Sequence, residues 1–319
     1  MTLAFATSWR WLQVPQYVAL GVCPSQEEVS VRLEIAGRTI EVGRNNVVAA
    51  LRPLTLGVML DTRALTGPSL PRRCQMSFHS AAHGTLGVIH LRLAQSIDLE
   101  PHTFWLFDIV GSRNFCMPWV ARPLQDGLER WRTRRYQKRH PFNFQMRHRD
   151  LKALFVFYIR PRPVYLVSVE HDAHLNLFPM DLVGPTDSPW FSFALRRSSP
   201  AMELMKKAGR FAAAGIDVTF KSIAYDLGQQ HKQARIDPAT LPFKASLSPE
   251  FGLPVPNTAL DVREVTVGQA VDVGSHCLFL TKVAKYTRWR IGADVLQLAH
   301  VHGSYAELLS SAGRTIVRA

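Results

Sequence analysis

Trp190-Phe191-Ser192-Phe193-Ala194-Leu195-Arg196-Arg197-Ser198-Ser199-Pro200, taken with Pro163-Val164-Tyr165-Leu166-Val167-Ser168-Val169 before it, reads as strand, loop, strand and then a capped helix. Pro161-Arg162-Pro163 leads into an apolar run of β-branched and aromatic residues, the pattern of a buried strand. Asn176–Gly184 reads as a loop. In Trp190–Leu195 the period-2 alternation puts Phe191, Phe193 and Leu195 on one face. Ser198 or Ser199 is placed to cap a helix that begins with Pro200, where a missing N–H costs nothing. Arg196, Arg197 and the open N–H groups of that helix start are the parts of a phosphate pocket. An anion-binding turn between a core strand and a helix is a usual seat for nucleotide-type cofactors.

Outward from this stretch, short β-rich runs dominate. Val29–Ile35 and Thr39–Val42 flank Ala36-Gly37-Arg38, a hairpin signal, and Leu56–Leu60 and Leu86–Leu93 follow. Leu124–Tyr136 reads as a helix, broken at Lys138-Arg139-His140-Pro141-Phe142 because the residue before a proline leaves the helical region. That break is the expected boundary between a mainly β unit at 1–140, of unstated role, and a second unit at 141–319. In the second unit helices are expected at Asp150–Phe157, Ser199–Ala208 and Thr219–Leu227, with strands at Phe211–Gly215, Leu260–Val267, His276–Val283 and Val295–Val301. Many strands with few helices and no steady alternation argue against a doubly wound parallel sheet. The expected fold class is mainly β (α+β), a closed or nearly closed antiparallel barrel with helices at its edge.

The chain has 319 residues and a net charge of +13, enough length for one large domain or two ordinary ones. No segment reaches the roughly 18 apolar residues of a membrane span. Met1–Trp11 lacks a basic lead-in, so no secretory signal is expected. Cys23, Cys74, Cys116 and Cys277 are scattered without metal-site spacing, which suits reduced thiols in a cytoplasmic protein. Much of the charge excess sits between Arg130 and Lys152, where the one acid is Asp150. No RNP, helix-turn-helix or zinc-finger signature accompanies this tract, so nucleic acid is not the expected partner; a solvated helix end is the plainer reading.

The glycine-rich cradles GxGxxG and GxxxxGK[ST] are absent, as are HExxH, paired CxxC and GxSxG. Other elements stand in order: Pro163–Val169, Asn176-Leu177-Phe178-Pro179-Met180-Asp181, Phe193–Ser199, the helix ending Ala208-Gly209-Arg210-Phe211, Gly274-Ser275-His276-Cys277-Leu278-Phe279, and Leu298–Tyr305. Together they resemble the flavin reductase-like family with its FMN-binding split barrel, over residues from about 150 to 306. The resemblance implies an antiparallel split β-barrel with edge helices and an FMN cofactor, with FAD as the larger variant. It also implies a cleft that usually includes a homodimer interface, NAD(P)H as co-substrate in many members, and a partner monooxygenase in some.

Carried across, Asn176, Phe178, Pro179 and Met180 would line the isoalloxazine ring, with Asp181 as a further hydrogen-bonding group. Arg196, Arg197, Ser198 and Ser199 would hold the ribityl phosphate, which agrees with the reading of those residues alone. His276 stands at the family's Gly-x-His, near the hydride donor or substrate, and is the catalytic candidate; Tyr305 stands where a ring closes the pocket. No metal site is expected. Phe211-Ala212-Ala213-Ala214-Gly215 departs from relatives that carry an asparagine in this strand, and the first 140 residues exceed what a stand-alone reductase needs.

The expectation is therefore a flavin-dependent oxidoreductase moving a hydride between a nicotinamide donor or small organic substrate and flavin. Two alternatives stand beside it. One is a haem-binding split barrel, haem oxygenase- or peroxidase-like, with His300, His302 or His276 as axial ligand. The other is a non-catalytic binding module that uses the Arg130–Lys152 tract.

Overall fold

The computed structural model describes residues 15–23, 28–61, 73–139, 145–184, 189–229, 235–290 and 295–311. Met1–Trp11 and the break at His140–Phe142 lie outside the described residues. In chain order the first half holds β1 (Tyr17–Val22), β2 (Ser30–Ile35), β3 (Arg38–Glu41), β4 (Asn46–Leu51), β5 (Leu54–Asp61), β6 (Arg73–Ser80), β7 (Gly84–Leu99), β8 (His102–Asn114) and α1 (Ala121–Arg139). The second half holds α2 (His148–Phe157), β9 (Arg162–Pro163), β10 (Tyr165–His171), β11 (His174–Met180), β12 (Phe193–Arg196), α3 (Pro200–Ala208), β13 (Arg210–Gly215) and α4 (Lys221–Gln229). It closes with β14 (Ala245–Leu247), β15 (Pro254–Pro256), β16 (Asp261–Val273), β17 (His276–Arg288), β18 (Gln297–His302) and α5 (Gly303–Ser311).

Seven strands of the first half form one sheet in the order β3-β2-β6-β7-β8-β5-β4. Its first hairpin turns at Ala36 and Gly37, with φ of 53° and 72°, the two positive angles a two-residue type I′ turn needs. In β2, Val31, Leu33 and Ile35 are buried while Arg32 and Glu34 are exposed, so the alternation seen in the sequence sets the face.

The second half folds as a curled, mainly antiparallel sheet in the order β11-β10-β13-β16-β17-β12. The two edges, β11 and β12, do not pair with each other, so this is a split half-barrel and not a closed barrel. Irregular registers at Glu264/Val265 and Val267/Gln269, where β16 meets β17, provide the bulges by which a sheet bends. Asn176–Met180, expected in a loop, belongs to the strand β11. The turn at Asp172-Ala173, both at positive φ, returns the chain against β10, pairing Asn176 with Val169 and Pro179 with Leu166. Pro179 is tolerated there because β11 is an edge strand and one of its faces needs no donors.

The halves share their packing. β1 pairs with β18, Tyr17 opposite His302 and Val22 opposite Gln297. Val47, Ala49, Phe104 and Leu106 pack in one buried cluster with Trp190, Leu278 and Leu280. A methyl group at Gly184 would collide with the backbone carbonyl of Asn46, so glycine lets β4 approach the second sheet. Buried Arg162 also ties the halves: its guanidinium donates to Asn46 Oδ1 at 2.8 Å and lies 3.5 Å from the centroid of the Phe157 ring. Among the described residues no helix is long and apolar enough to cross a membrane.

Candidate functional site

The two unpaired sheet edges face the same cleft, of about 290 Å³. From β11 and the residues after it come Asn176, Phe178, Pro179, Met180, Asp181 and Leu182; from β12 and the turn into α3 come Ala194, Leu195, Arg196, Ser199 and Ala201. His276 at the start of β17 and Gly228 of α4 complete this side. The opposite wall belongs to the first half, where β4 supplies Val48 and Leu51. Arg196 and Ser199 thus make one part of the cleft charged and hydroxylic, and the rest is mainly apolar apart from Asn176, Asp181 and His276.

Local sequence explains the charged end. Phe193 and Leu195 are buried, which turns Arg196 outward at the last residue of β12. Ser199 is the residue before α3, with Pro200 in its first turn as expected, but its side chain makes no capping bond. Instead the backbone closes the turn, Ser199 N donating to Arg196 O and Met202 N to Ser199 O. The Ser199 hydroxyl therefore remains on the cleft side.

His276 faces Arg196 across the β12–β17 ladder. Its Nδ1 accepts from the backbone N–H of Leu51 at 3.4 Å and lies 2.8 Å from Ser275 Oγ. Burial, and then the charge of Arg196, push the imidazole down to about 4, so it is neutral at neutral pH. A neutral ring whose Nδ1 accepts carries its proton on Nε2. His276 is thereby a fixed hydrogen-bond donor and not a titrating acid. Ser275 repeats the bond to the first half: its N–H donates to Arg52 O, and its Oγ accepts from Arg52 N at 3.1 Å.

At another point of the cleft Asp181 is held by its neighbours. Its Oδ2 accepts from Tyr158 Oη and lies against His300 Nδ1, both at 2.7 Å. Burial alone would raise this carboxyl, but the bonds from His300 and Tyr158 outweigh it and hold it below the ordinary carboxylate range.

Of the residues expected to form a site, Asn176, Phe178, Pro179, Met180, Asp181, Arg196, Ser199 and His276 come together in this cleft. Three do not. Arg197 and Ser198 are exposed and do not line it. Tyr305 is buried in the core that joins α5 to the first-half sheet. The histidines of the haem alternative are engaged: His300 by Asp181 and Tyr225, and His302, pushed down to about 3 by burial, by Ser304 Oγ at 2.7 Å. Among the described residues no group of three or more His, Cys, Asp or Glu is placed to hold a metal. Much of the basic tract is answered within the chain, Arg130 by Asp126, Arg132 by Glu129 and Lys152 by Asp126.

Val48 and Leu51 were not legible as site residues, because nothing local marks two aliphatic residues as a wall for a cleft well over a hundred positions away. The partners of Asp181 were hidden for the same reason.

Residues 157–309 match the family model described as the flavin reductase like domain. Solved structures similar to the chain include an FMN-binding protein from Thermus thermophilus, 20% identical over 46% of this chain and 90% of that one, with a TM-score of 0.39. The NADH:FAD oxidoreductase SgcE6 of Streptomyces globisporus is 17% identical over 48% of this chain and 89% of that one, with a TM-score of 0.42. BorF, the flavin reductase component of a bacterial two-component tryptophan halogenase, is 16% identical over 48% and 92%, with a TM-score of 0.41. No curated protein matches the chain.

Proposed function

We propose that this chain is a flavin-dependent oxidoreductase whose cofactor, FMN with FAD as the larger alternative, sits in the cleft between β11 and β12. The observation that carries the reading is the donor set of that cleft. Arg196 and Ser199 stand at one end, and Phe178, Pro179 and Met180 face Val48 and Leu51 along its length. Such a set suits a ligand that is flat and aromatic at one end and anionic at the other.

When bound, a flavin supplies hydride transfer at its N5, while the protein supplies position and electrostatics. Arg196, Ser199 and the N-terminus of α3 would hold the phosphate. The carboxamide of Asn176, buried in the wall, would meet the ring edge. His276 would orient the nicotinamide or organic substrate by its Nε2–H without giving up a proton. Val48 and Leu51 of β4 would keep water from the ring.

NAD(P)H as electron donor, a homodimer, a partner monooxygenase that takes reduced flavin, and a division into units at 1–140 and 141–319 belong to the same proposal. Cys74, Cys116 and Cys277 are reduced thiols, which suits a cytoplasmic setting.

The test is a titration of FMN fluorescence with the full chain, followed by anaerobic addition of NADH or NADPH. Quenching on binding and bleaching of the flavin absorbance are expected. A chain that neither quenches FMN nor oxidises either nicotinamide ends the proposal.

A further inference from the structure

The helix α1 packs with a polar side inward. Gln125 and Glu129, one helical turn apart, are buried and bonded to each other at 3.2 Å, and Gln16 Nε2 donates to the other oxygen of Glu129 at 2.7 Å. Apolar residues stand outward. Trp119, in the turn before the helix, is 78% exposed, and Val120, Leu124 and Trp131 are half exposed or more. Of the nine large apolar side chains left exposed among the described residues, four fall within 119–131, so they make a patch and not a scatter. Val120, Leu124 and Trp131 share one helix face at spacings of four and seven residues, a stripe about 17 Å long. Exposed Arg134, Arg135 and Lys138 continue that face into the last turns, with Arg139 beside them.

Whatever covers this face must be apolar against its first half and anionic against its second. Among the described residues no acid pairs with Arg134, Arg135, Lys138 or Arg139. Arg135 lies over the Trp131 ring, 5.2 Å from its centroid, so cation and indole meet where the two halves join. A second copy of the face fits badly: parallel packing sets arginine against arginine, and antiparallel packing sets arginine against the apolar stripe. A bilayer with anionic headgroups offers both halves what they need, and tryptophan favours the boundary between its headgroups and acyl chains. A fluid surface also fits a convex helix face, which a folded partner meets only through a groove shaped to it. We propose that α1 lies flat on an anionic lipid surface, with Val120, Leu124 and Trp131 in the headgroup–acyl boundary and Arg134, Arg135 and Lys138 against the lipid anions.

The helix rests on the membrane and does not cross it. Its apolar stripe is about 17 Å long against a hydrocarbon core of about 30 Å, and its Glu129 side stays bonded to the protein. Each cation at an anionic surface strengthens binding about fivefold, so Arg134 and Arg135 together contribute about 25-fold, less as salt screens them. Burying the exposed parts of Leu124 and Trp131 contributes at least about tenfold more. The attachment needs no flavin and stands apart from the cleft.

Co-sedimentation of the full chain with lipid vesicles tests this. Vesicles of phosphatidylcholine mixed with phosphatidylserine should pellet the chain, phosphatidylcholine alone should not, and added salt should release it. R134Q/R135Q should weaken binding about 25-fold and L124S/W131S at least about tenfold, whereas K285Q/R288Q, which removes two exposed charges of β17, should change it less than about threefold. Every side chain replaced is exposed, so the urea midpoints should stay those of the parent. Binding unchanged in L124S/W131S, or an equal loss in K285Q/R288Q, would mean attraction by net charge alone and overturns the proposal. A second readout starts from the parent chain: brominated acyl chains should quench part of its tryptophan emission, and less of it in W131F. Pelleting without quenching overturns the proposal. So does self-association without lipid that L124S/W131S abolishes, and so does a poly-glutamate that shifts the tryptophan emission as far as vesicles do, which would assign the face to an acidic protein.

Discussion

Replacing Arg196 by alanine should separate the phosphate end of the cleft from its ring end. Arg196 lines the cleft at the end of β12, beside Ser199 and the start of α3, while Arg197, the next residue, does not line it. A hydrogen bond from a charged donor contributes about 1.5–3 kcal/mol. Arg196 is exposed on one side, which puts it in the lower half of that range, about 2 kcal/mol or roughly a 30-fold change in Kd. R196A should therefore weaken FMN about 30-fold in a fluorescence titration. Riboflavin, which has the same ring and no phosphate, should bind R196A and the parent chain alike. R197A removes the same formal charge outside the cleft, and screening by salt should keep its effect on FMN below about threefold. Equal losses in the two variants, or a matching loss for riboflavin, would refute the assignment of the phosphate to Arg196.

Protonation of His276 and His302 should make stability fall in mild acid. Both are depressed by burial, to about 4 and about 3, so the unfolded chain binds protons first as pH drops below the ordinary histidine value. Their contribution is complete above about pH 6.5, declines as pH falls toward 4 and levels off below the folded values; the urea midpoint should be clearly lower at about pH 5 than at about pH 7, and H302F should flatten that slope. Arg162→Met should cost about 2–4 kcal/mol in urea unfolding, because it leaves the buried Asn46 Oδ1 and Phe157 carbonyl without this donor; a loss below about 1 kcal/mol would show that these groups find other partners. Gly184→Ala should force β4 away from the second sheet through the clash with the Asn46 carbonyl. A lower melting temperature and weaker binding of both FMN and riboflavin are expected together, and an unchanged Tm would contradict the close approach.

The parts of this fold written in local patterns were legible in the sequence. The alternation of Val31, Leu33 and Ile35, the Ala36-Gly37 turn, and the Ser199-Pro200 start of α3 each depend on neighbours within a few positions. The cleft was half legible on the same grounds, since Phe178–Asp181 and Arg196–Ser199 are short contiguous runs. β11 was hidden because Asn176 and Pro179 look like loop residues unless the strand is known to lie on an edge. Tyr305 shows the opposite failure: an aromatic near a motif says nothing about which core it enters, and here it packs toward the first half. The wall made by Val48 and Leu51, and the partners of Asp181, depend on contacts between distant parts of the chain that no local pattern encodes.

The central claim is that the split between β11 and β12 holds a flavin. A crystal structure of the full chain grown with FMN tests it most directly. The account predicts the ring between Phe178–Met180 and Val48–Leu51, with the phosphate against Arg196 and Ser199. Flavin bound elsewhere on the surface, or a cleft filled by the chain's own side chains, would contradict it.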